Sequence, residues 1–279
     1  MFKHTLFSFL FLCISQLTIA APPVTITGST SVSHVMEVIA ERYQRDHDVV
    51  IQVQGTGSAA GIAAVKQGIA PMGMSSRYLK QEEMAPDLTT DILAYDGIAL
   101  VVHPSNPVSA LTQAQIRKIY LGEIKNWQAL GGADREIAAV SRESASGSRF
   151  SFETLLDLTK VVKGETVSGV SPRLMVVNSN SMVKTLVAKN PHAIGYVSLG
   201  SVDAGIKPLS VDGQAPTLAA IADGRYKLAR PFVILRKTAP LSSAANGFYD
   251  YLLSEQGQQA FANAGYVASQ SPHMALKTP

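Results

Sequence analysis

The stretch VTITGSTS, residues 24–31, sets the pattern from which the fold can be read. Val24 to Thr27 is a short run rich in β-branched residues, which favours a strand. Gly28 to Ser31 interrupts that run with glycine and hydroxyl side chains, and an apolar-periodic stretch from Val32 to Tyr43 follows. This order predicts a strand, a polar turn and a helix whose amino end is capped by Ser or Thr.

The same unit recurs along the chain. A second copy covers residues 49–67 with its turn at Gly55 to Ser58, and a third covers residues 137–158 with its turn at Ser144 to Ser148. A weaker copy covers residues 176–189. Strands and helices that alternate at these lengths predict an α/β architecture with mainly parallel sheets. The apolar pattern from Phe248 to Ala262 predicts one amphipathic closing helix.

Composition excludes several classes of protein. The chain has 279 residues, of which 46% are hydrophobic and 16% charged, so an intrinsically disordered protein is excluded. The formal net charge is only +3 and the charges are scattered, so no nucleic-acid-binding surface is indicated.

The amino end differs from the rest of the chain. Lys3 and His4 precede an apolar run from Leu6 to Leu12, and small residues lead up to Ala20. This pattern predicts a secretory signal peptide over residues 1–20. A membrane anchor is the alternative, but the run is shorter than the roughly 20 residues that a span needs. We therefore expect an exported protein whose mature form is soluble outside the inner membrane and, because Cys13 is the only cysteine, contains no disulfide.

Motifs of enzymes are mostly missing from the sequence. It contains no phosphate-binding loop ending in Gly-Lys-Ser/Thr, no Gly-x-Ser-x-Gly elbow and no His-Glu-x-x-His metal site. The stretch Gly55 to Ala60 fits a loose dinucleotide fingerprint, but Ser75 and Ser76 stand where that motif needs an acidic residue. The sequence favours a binding protein over an enzyme.

The three polar turns suggest what is bound. Taken singly, each turn is explained by helix capping. Together, three turns at the carboxyl ends of parallel strands would offer hydroxyl groups and free backbone N–H groups to an oxyanion. Arg142 ends the strand before the third turn, and a guanidinium is suited to bidentate oxyanion contact. The alternative for Arg142 is a surface ion pair with Glu143 or Glu153.

With these residues in view, the chain resembles the PstS-type phosphate-binding proteins of bacterial ABC transporters, in the shorter branch of that family. The resemblance covers nearly all of the mature chain. It rests on these segments: Ile26 to Ser31, Gly55 to Gly61, Gly73 to Arg77, Ile119 to Gly122, Asn126-Trp127, Arg142 to Ser148 and Ala193 to Val197.

The resemblance implies a type II periplasmic-binding-protein fold, in which two α/β lobes joined by two crossing strands close over the ligand. The crossings are expected near Ile98 to Val102 and Arg230 to Val233. One lobe would then comprise residues 24–98 and 234–279, and the other residues 103–229.

The resemblance also implies a set of ligand residues. Those expected to contact phosphate are Thr30, Ser31, Ser58, Ser76, Arg142, Ser146, Gly147 and Ser148. Arg142 is expected to be the only fully charged donor among them.

The sequence departs from the longer relatives at two positions. Where this chain has Ser76, those relatives carry an aspartate that accepts the proton of bound phosphate. Where it has Ser144, they carry a second aspartate. Ser144 is a further candidate ligand residue. Asp96 is the nearest remaining carboxylate, and it would act either as the proton acceptor or as a turn residue at a strand end.

The expected function is capture of inorganic phosphate in the periplasm and its delivery to an ABC permease of the inner membrane. We expect a monomer that needs no cofactor and no metal. One alternative is a receptor for another tetrahedral oxyanion, sulfate or molybdate, on the same fold. A more distant alternative is a hydrolase of phosphate esters, for which the sequence shows neither a nucleophile with its base nor a metal cluster.

Overall fold

The computed structural model describes residues 22–270. The predicted signal peptide over residues 1–20 therefore lies outside the described residues. Within residues 22–270, no helix combines the length and the apolar character needed to cross a membrane.

The chain alternates strands and helices through most of its length. The strands are β1 Val24–Gly28, β2 Ile51–Gly55, β3 Met72–Ser75, β4 Leu88–Val102, β5 Ala110–Leu111, β6 Ala138–Arg142, β7 Thr159–Val162, β8 Glu165–Ser168, β9 Met175–Val177, β10 Ala193–Ser198, β11 Lys207–Pro208, β12 Ser210–Val211, β13 Ala229–Lys237 and β14 Val267–Ala268. The α-helices are α1 Thr30–Asp46, α2 Ser58–Lys66, α3 Gln113–Leu121, α4 Gly147–Leu155, α5 Asn180–Lys189, α6 Leu218–Ala222, α7 Ser243–Leu253 and α8 Glu255–Asn263. Short 3₁₀ helices cover Gln81–Glu83, Trp127–Leu130 and Leu199–Ser201.

The main sheet is mixed, so the prediction of mainly parallel sheets was only partly right. Its strand order is β2-β1-β3-β13-β4-β10-β6-β9, with β11 and β14 also paired to β4. The outer pairs β1-β2, β1-β3, β10-β6 and β6-β9 are parallel, as strand-turn-helix units require. The central pairs β3-β13, β13-β4 and β4-β10 are antiparallel, because β4 and β13 run against the strands they join.

Strand β4 changes partner part of the way along its length. Residues from Leu88 to Gly97 pair with β13, and residues from Ile98 to Val102 pair with β10. The switch between Gly97 and Ile98 is marked by a hydrogen bond from Ile98 N to Leu228 O of 2.7 Å. A single strand thus ties together the two groups of strand-turn-helix units.

Two large apolar clusters lie on either side of this switch. One cluster packs β1, β2, β3 and α1 against α7 and α8, with Ile26, Met36 and Phe248 fully buried. The other packs α3, α4 and α6 around Tyr120 and Tyr196. Burial of these side chains provides the main driving force that holds the helices on the sheet.

The predicted closing helix is two helices. α7 ends and α8 begins at Ser254, whose extended backbone stops the first helix and whose side-chain oxygen accepts a hydrogen bond of 3.3 Å from Gly257 N. Capping by this serine outweighs the continuous apolar pattern. The sequence analysis also missed the β7-β8 hairpin, which turns at Lys163 and Gly164, both with positive φ.

Candidate functional site

The three polar turns lie at the amino ends of three helices, as predicted. Ser29 caps α1 and Ser146 caps α4 through their hydroxyl oxygens, while Gly57 precedes α2 with a φ of 95°. The first N–H groups of a helix have no carbonyl partner within it. The turns therefore present both hydroxyls and backbone donors at the positive ends of helix dipoles.

Side chains from the first and third turns meet directly. Ser31 Oγ lies 3.1 Å from Ser148 Oγ, although the two residues are 117 positions apart in the sequence. Both side chains are buried. The amino ends of α1 and α4 therefore face one buried point from opposite sides.

The second turn completes the same cluster. Ala59 N donates to Ala145 O at 3.2 Å, which links α2 to the loop before α4. A side chain at Gly147 would overlap Ser58 Oγ and lie 2.6 Å from Ser76 Oγ, so only glycine allows this approach. Ser58 and Ser76 are also joined to each other, because Ser76 N donates to Ser58 Oγ at 3.0 Å. We call Thr30, Ser31, Ser58, Ser76 and Ser148 the hydroxyl cluster.

Arg142 lies fully buried at the edge of the hydroxyl cluster. Its Nη2 donates to Thr30 Oγ1 at 3.1 Å and to Asn178 O at 2.9 Å. It also pairs with Glu143 at 3.1 Å, so the suggested ion pair forms, but at a buried arginine and not at the surface. Contact of Arg142 with an oxyanion stays a prediction. Glu153, the other suggested partner, pairs instead with Arg149.

The sequence analysis missed a second buried guanidinium. Arg230, near the start of β13, donates to Ser148 Oγ at 2.6 Å, to Ser31 Oγ at 3.1 Å and to Ser76 Oγ at 3.3 Å. The expectation that Arg142 is the only charged donor at this cluster is therefore wrong. The sequence offered only a partial signal, because Arg230 begins one expected crossing and Asp96 lies just before the other. The antiparallel register of β13 and β4, which places the two opposite each other, is known only from the structure.

Asp96 is engaged by protein groups through both oxygens. Oδ2 accepts from Arg230 Nε at 3.1 Å and from Nη2 at 2.8 Å, and Oδ1 accepts from Leu199 N at 3.1 Å. Burial raises the pKa of the Asp96 carboxyl above its ordinary value, and the charge of Arg230 opposes that shift. Asp96 lies inside β4 and not at a strand end, so its suggested role as a turn residue is wrong.

The fourth, weaker unit also contributes to the cluster. Asn180 is the first residue of α5, and its Nδ2 donates to Ser31 Oγ at 3.1 Å while its Oδ1 accepts from Arg142 Nη1 at 3.4 Å. Sequence reasoning found this turn but assigned no ligand role to Asn180. Ser144, by contrast, is exposed on the loop before α4, so the structure does not bring it into the buried cluster.

Tyr196 holds the strand that carries Arg142. Its hydroxyl lies 3.1 Å from Ser141 Oγ and accepts from Arg142 N at 3.2 Å. The Tyr196 ring stacks on Phe152 with a centroid distance of 4.0 Å. Burial raises the pKa of Tyr196 to about 12, so it stays neutral and serves as a structural anchor.

Within residues 22–270, no group of three or more His, Cys, Asp or Glu side chains is arranged to hold a metal ion. The polar groups that converge at the hydroxyl cluster are serine and threonine hydroxyls and the guanidinium groups of Arg142 and Arg230. A cavity of about 310 Å³ lies beside the cluster, with Thr30, His34 and Asn180 among its lining residues. The arrangement is suited to holding an oxyanion and offers no nucleophile activated by a base.

The chain matches known proteins both in sequence and in fold. The sequence model of a family described as "PBP superfamily domain" matches residues 16–256. The chain is 45% identical to an ABC-type phosphate transport receptor from Vibrio cholerae, whose crystal structure aligns with a TM-score of 0.74 over 88% of this chain and 99% of that one. It is 38% identical to a putative phosphate ABC transporter substrate-binding protein from Clostridium perfringens, solved with bound phosphate, with a TM-score of 0.83 over 89% of this chain and 100% of that one.

A curated relative extends the comparison. The phosphate-binding protein PstS of Borreliella burgdorferi is 30% identical over 249 residues, which cover 88% of this chain and 89% of the relative. The fold is thus that of the type II periplasmic-binding proteins, as the resemblance implied. The chain belongs to the PBP superfamily, and within it to the family of the PstS-type proteins.

Proposed function

We propose that the protein captures inorganic phosphate in the hydroxyl cluster and delivers it to an ABC permease. The observation that carries this proposal is the convergence of three helix amino ends, with Ser31 Oγ and Ser148 Oγ only 3.1 Å apart. Hydroxyl and backbone N–H donors at helix amino ends bind a tetrahedral oxyanion without much net charge.

The electrostatics of the cluster fit that role. Each of the two buried arginines at the hydroxyl cluster has a carboxylate partner. Arg142 pairs with Glu143 and Arg230 pairs with Asp96, so the four groups together carry no formal net charge. Binding then depends on directed hydrogen bonds. The proposed ligand residues are Thr30, Ser31, Ser58, Ser76, Arg142, Ser146, Gly147 and Ser148.

The relatives favour phosphate over other tetrahedral anions. The structures from Vibrio cholerae and Clostridium perfringens are both described as phosphate transport proteins. The same names support a binding role for this chain, not a catalytic one. We also propose a location outside the inner membrane with residues 1–20 as the export signal, on the basis of the sequence pattern of those residues.

Two lobes are proposed to close on the ligand. One comprises residues 24–98 and 234–279, and the other residues 103–229. The partner switch in β4 supports this division, since the pairing with β13 ends there and the pairing with β10 begins. We propose a monomer, because one chain supplies donors from both sides of the cluster.

Calorimetric titration of stripped protein with phosphate, sulfate and molybdate tests the proposal. Stripping matters because ligand carried through purification would mask binding. We expect phosphate to bind most tightly. Tighter binding of sulfate or molybdate would assign the cluster to another oxyanion, and turnover of a phosphate ester with added divalent metal would contradict a pure binding role.

A further inference from the structure

Arg230 has no N–H group left for a ligand. A guanidinium carries five N–H groups. In Arg230, Nε donates to Asp96, Nη1 donates to Ser76 and Ser148, and Nη2 donates to Ser31 and Asp96. All five are accounted for by protein oxygens, so any influence of Arg230 on an anion passes through the serines.

Arg142 differs in this respect. Its Nη1 carries two N–H groups and, within residues 22–270, donates one of them, to Asn180 Oδ1 at 3.4 Å. One N–H of Arg142 therefore stays free for a direct contact. Both arginines are buried, but Arg230 donates only to protein oxygens, whereas Arg142 has one N–H for a ligand.

Donation by Arg230 fixes the direction of the Ser31 hydroxyl. A serine oxygen has two lone pairs and one proton. Both lone pairs of Ser31 Oγ are taken, by Arg230 Nη2 at 3.1 Å and by Asn180 Nδ2 at 3.1 Å. Ser31 can therefore only donate, and its neighbour at 3.1 Å is Ser148 Oγ.

The same count of lone pairs and protons determines the direction of the Ser148 hydroxyl. Its oxygen accepts from Arg230 Nη1 at 2.6 Å and, when Ser31 donates to it, from Ser31 as well. The proton of Ser148 must then point away from both groups. Arg230 thus donates to Ser31, Ser31 donates to Ser148, and Ser148 has its proton left to donate to a bound ligand.

Acceptor capacity remains at Thr30, Ser58 and Ser76, and Thr30 Oγ1 accepts a single bond, from Arg142 Nη2 at 3.1 Å. Ser76 Oγ receives its bond from Arg230 at a long 3.3 Å, and Ser58 Oγ receives one from Ser76 N at 3.0 Å. These two oxygens lie 3.5 Å apart, and a hydrogen bond between them uses one of the two lone pairs that they have left. Because a monoanionic phosphate carries two protons and the dianion one, each acceptor that the cluster lacks disfavours the monoanion more than the dianion.

We propose that Arg230 is a positioning residue that makes the cluster selective for the phosphate dianion, by fixing Ser31 and Ser148 as hydrogen-bond donors. The inference rests on the proposed phosphate-binding function and adds the protonation state of the ligand. The charged and titratable groups that face Arg230 are Asp96 on β4, Arg142 on β6 and Tyr266 just before β14. Asp96 is held by Arg230 and Leu199 and does not take the proton of the ligand.

The test compares wild type with Arg230→Lys. Lysine keeps the charge but has three N–H groups, too few for Asp96 and three serines in the same arrangement. In wild type, phosphate affinity should follow the dianion fraction as the pH is lowered through the second ionisation of phosphate. In Arg230→Lys it should fall on the order of 10-fold at high pH and depend less on pH, because freed serine lone pairs admit the monoanion.

Sulfate serves as the reference ligand, because it carries no proton over this pH range. Its affinity for Arg230→Lys should drop by a pH-independent factor. The control variant is Arg77→Lys, a buried arginine that pairs with Glu83 outside the cluster, and it should bind both anions as wild type does. If Arg230→Lys fails to fold, the double variant Asp96→Asn/Arg230→Gln removes both charges together, and the same flattening is expected.

The outcomes distinguish failure of the proposed phosphate-binding function from failure of the positioning role of Arg230. If wild type binds no phosphate at any pH, the proposed function fails. If phosphate binds but the variants lose affinity equally at every pH, with an unchanged profile, Arg230 contributes only charge or structure and the inference is overturned.

Discussion

At the residue scale, Arg142 is the side chain that we propose to contact the anion directly. It is buried, its Nη2 already donates to Thr30 Oγ1 at 3.1 Å, and one Nη1 N–H stays free in the described part of the chain. Each hydrogen bond from a charged donor contributes about 1.5 to 3 kcal/mol. Arg142→Ala should therefore weaken phosphate binding roughly 10- to 150-fold, measured by calorimetric titration.

Arg77→Ala is the matched control for that variant. Arg77 is also buried, but it pairs with Glu83 at 2.6 Å and lies 4.7 Å from the Phe150 ring centroid. Its loss should lower the melting temperature and leave phosphate affinity close to that of wild type. Equal losses of affinity in the two variants would remove Arg142 from the site.

Asp96 is the residue whose role changed most between sequence and structure. As a proton acceptor it would repel sulfate, which offers only acceptors, and Asp96→Asn would then admit sulfate. Because both of its oxygens are taken by Arg230 and Leu199, we expect sulfate to compete on the order of millimolar in wild type and variant alike. Competition titrations measure this, and sulfate exclusion that is lost only in Asp96→Asn would restore the acceptor role.

At the scale of single elements, the amino end of α4 leaves no room for a side chain larger than that of glycine. Gly147 lets it approach α2, since a Cβ there would overlap Ser58 Oγ and lie 2.6 Å from Ser76 Oγ. Gly147→Ala should push α4 back and lower phosphate affinity at least 10-fold with little change in unfolding temperature. Ser144→Ala, an exposed change three residues earlier, should bind as wild type does; weaker binding there would bring Ser144 back as a ligand residue.

Glu83, in the 3₁₀ helix Gln81–Glu83, makes the stability of the fold depend on pH. Burial tends to raise the pKa of Glu83, but hydrogen bonds from the Arg77 side chain and Lys80 N lower it overall, below its ordinary value of 4.5. A carboxyl with a lowered pKa stabilises the folded state above its ordinary pKa, and this stabilisation is lost as the pH falls through the folded value. Glu83→Gln should be less stable than wild type near neutral pH, and the difference in melting temperature should vanish in acid. A pH-independent difference would contradict this origin.

These elements also show what the sequence could and could not predict. Local signals placed the turns at Ser29 and Ser146 correctly, because helix caps are set by neighbouring residues. Arg230 was missed because its role depends on a register between β13 and β4 that local pattern does not encode. The split at Ser254 was missed because the apolar period continues across it while a single serine ends one helix and caps the next.

At the scale of the whole molecule, the contacts across the cluster join parts of the chain that belong to different proposed lobes. Arg142 Nη2 to Thr30 Oγ1, Asn180 Nδ2 to Ser31 Oγ and Ser151 Oγ to Ser76 O all run from residues 103–229 to residues 24–98. Between these two parts, β4 provides a covalent connection, and its partner switch lies at Gly97. Separation of the lobes would break these bonds, and a ligand that bridges the two parts should therefore decide which arrangement is populated.

Closure on binding is therefore the prediction that belongs to this scale. An anion that accepts from Thr30 and Ser58 on one lobe and from Arg142 and Ser148 on the other stabilises only the arrangement in which both sets face each other. Small-angle scattering of stripped protein should give a smaller radius of gyration when phosphate is added. Arg142→Ala, titrated at the same phosphate concentration, should contract less because fewer molecules are bound. A radius that stays constant in wild type while calorimetry shows saturation would mean that the site is preformed and that the two lobes do not move.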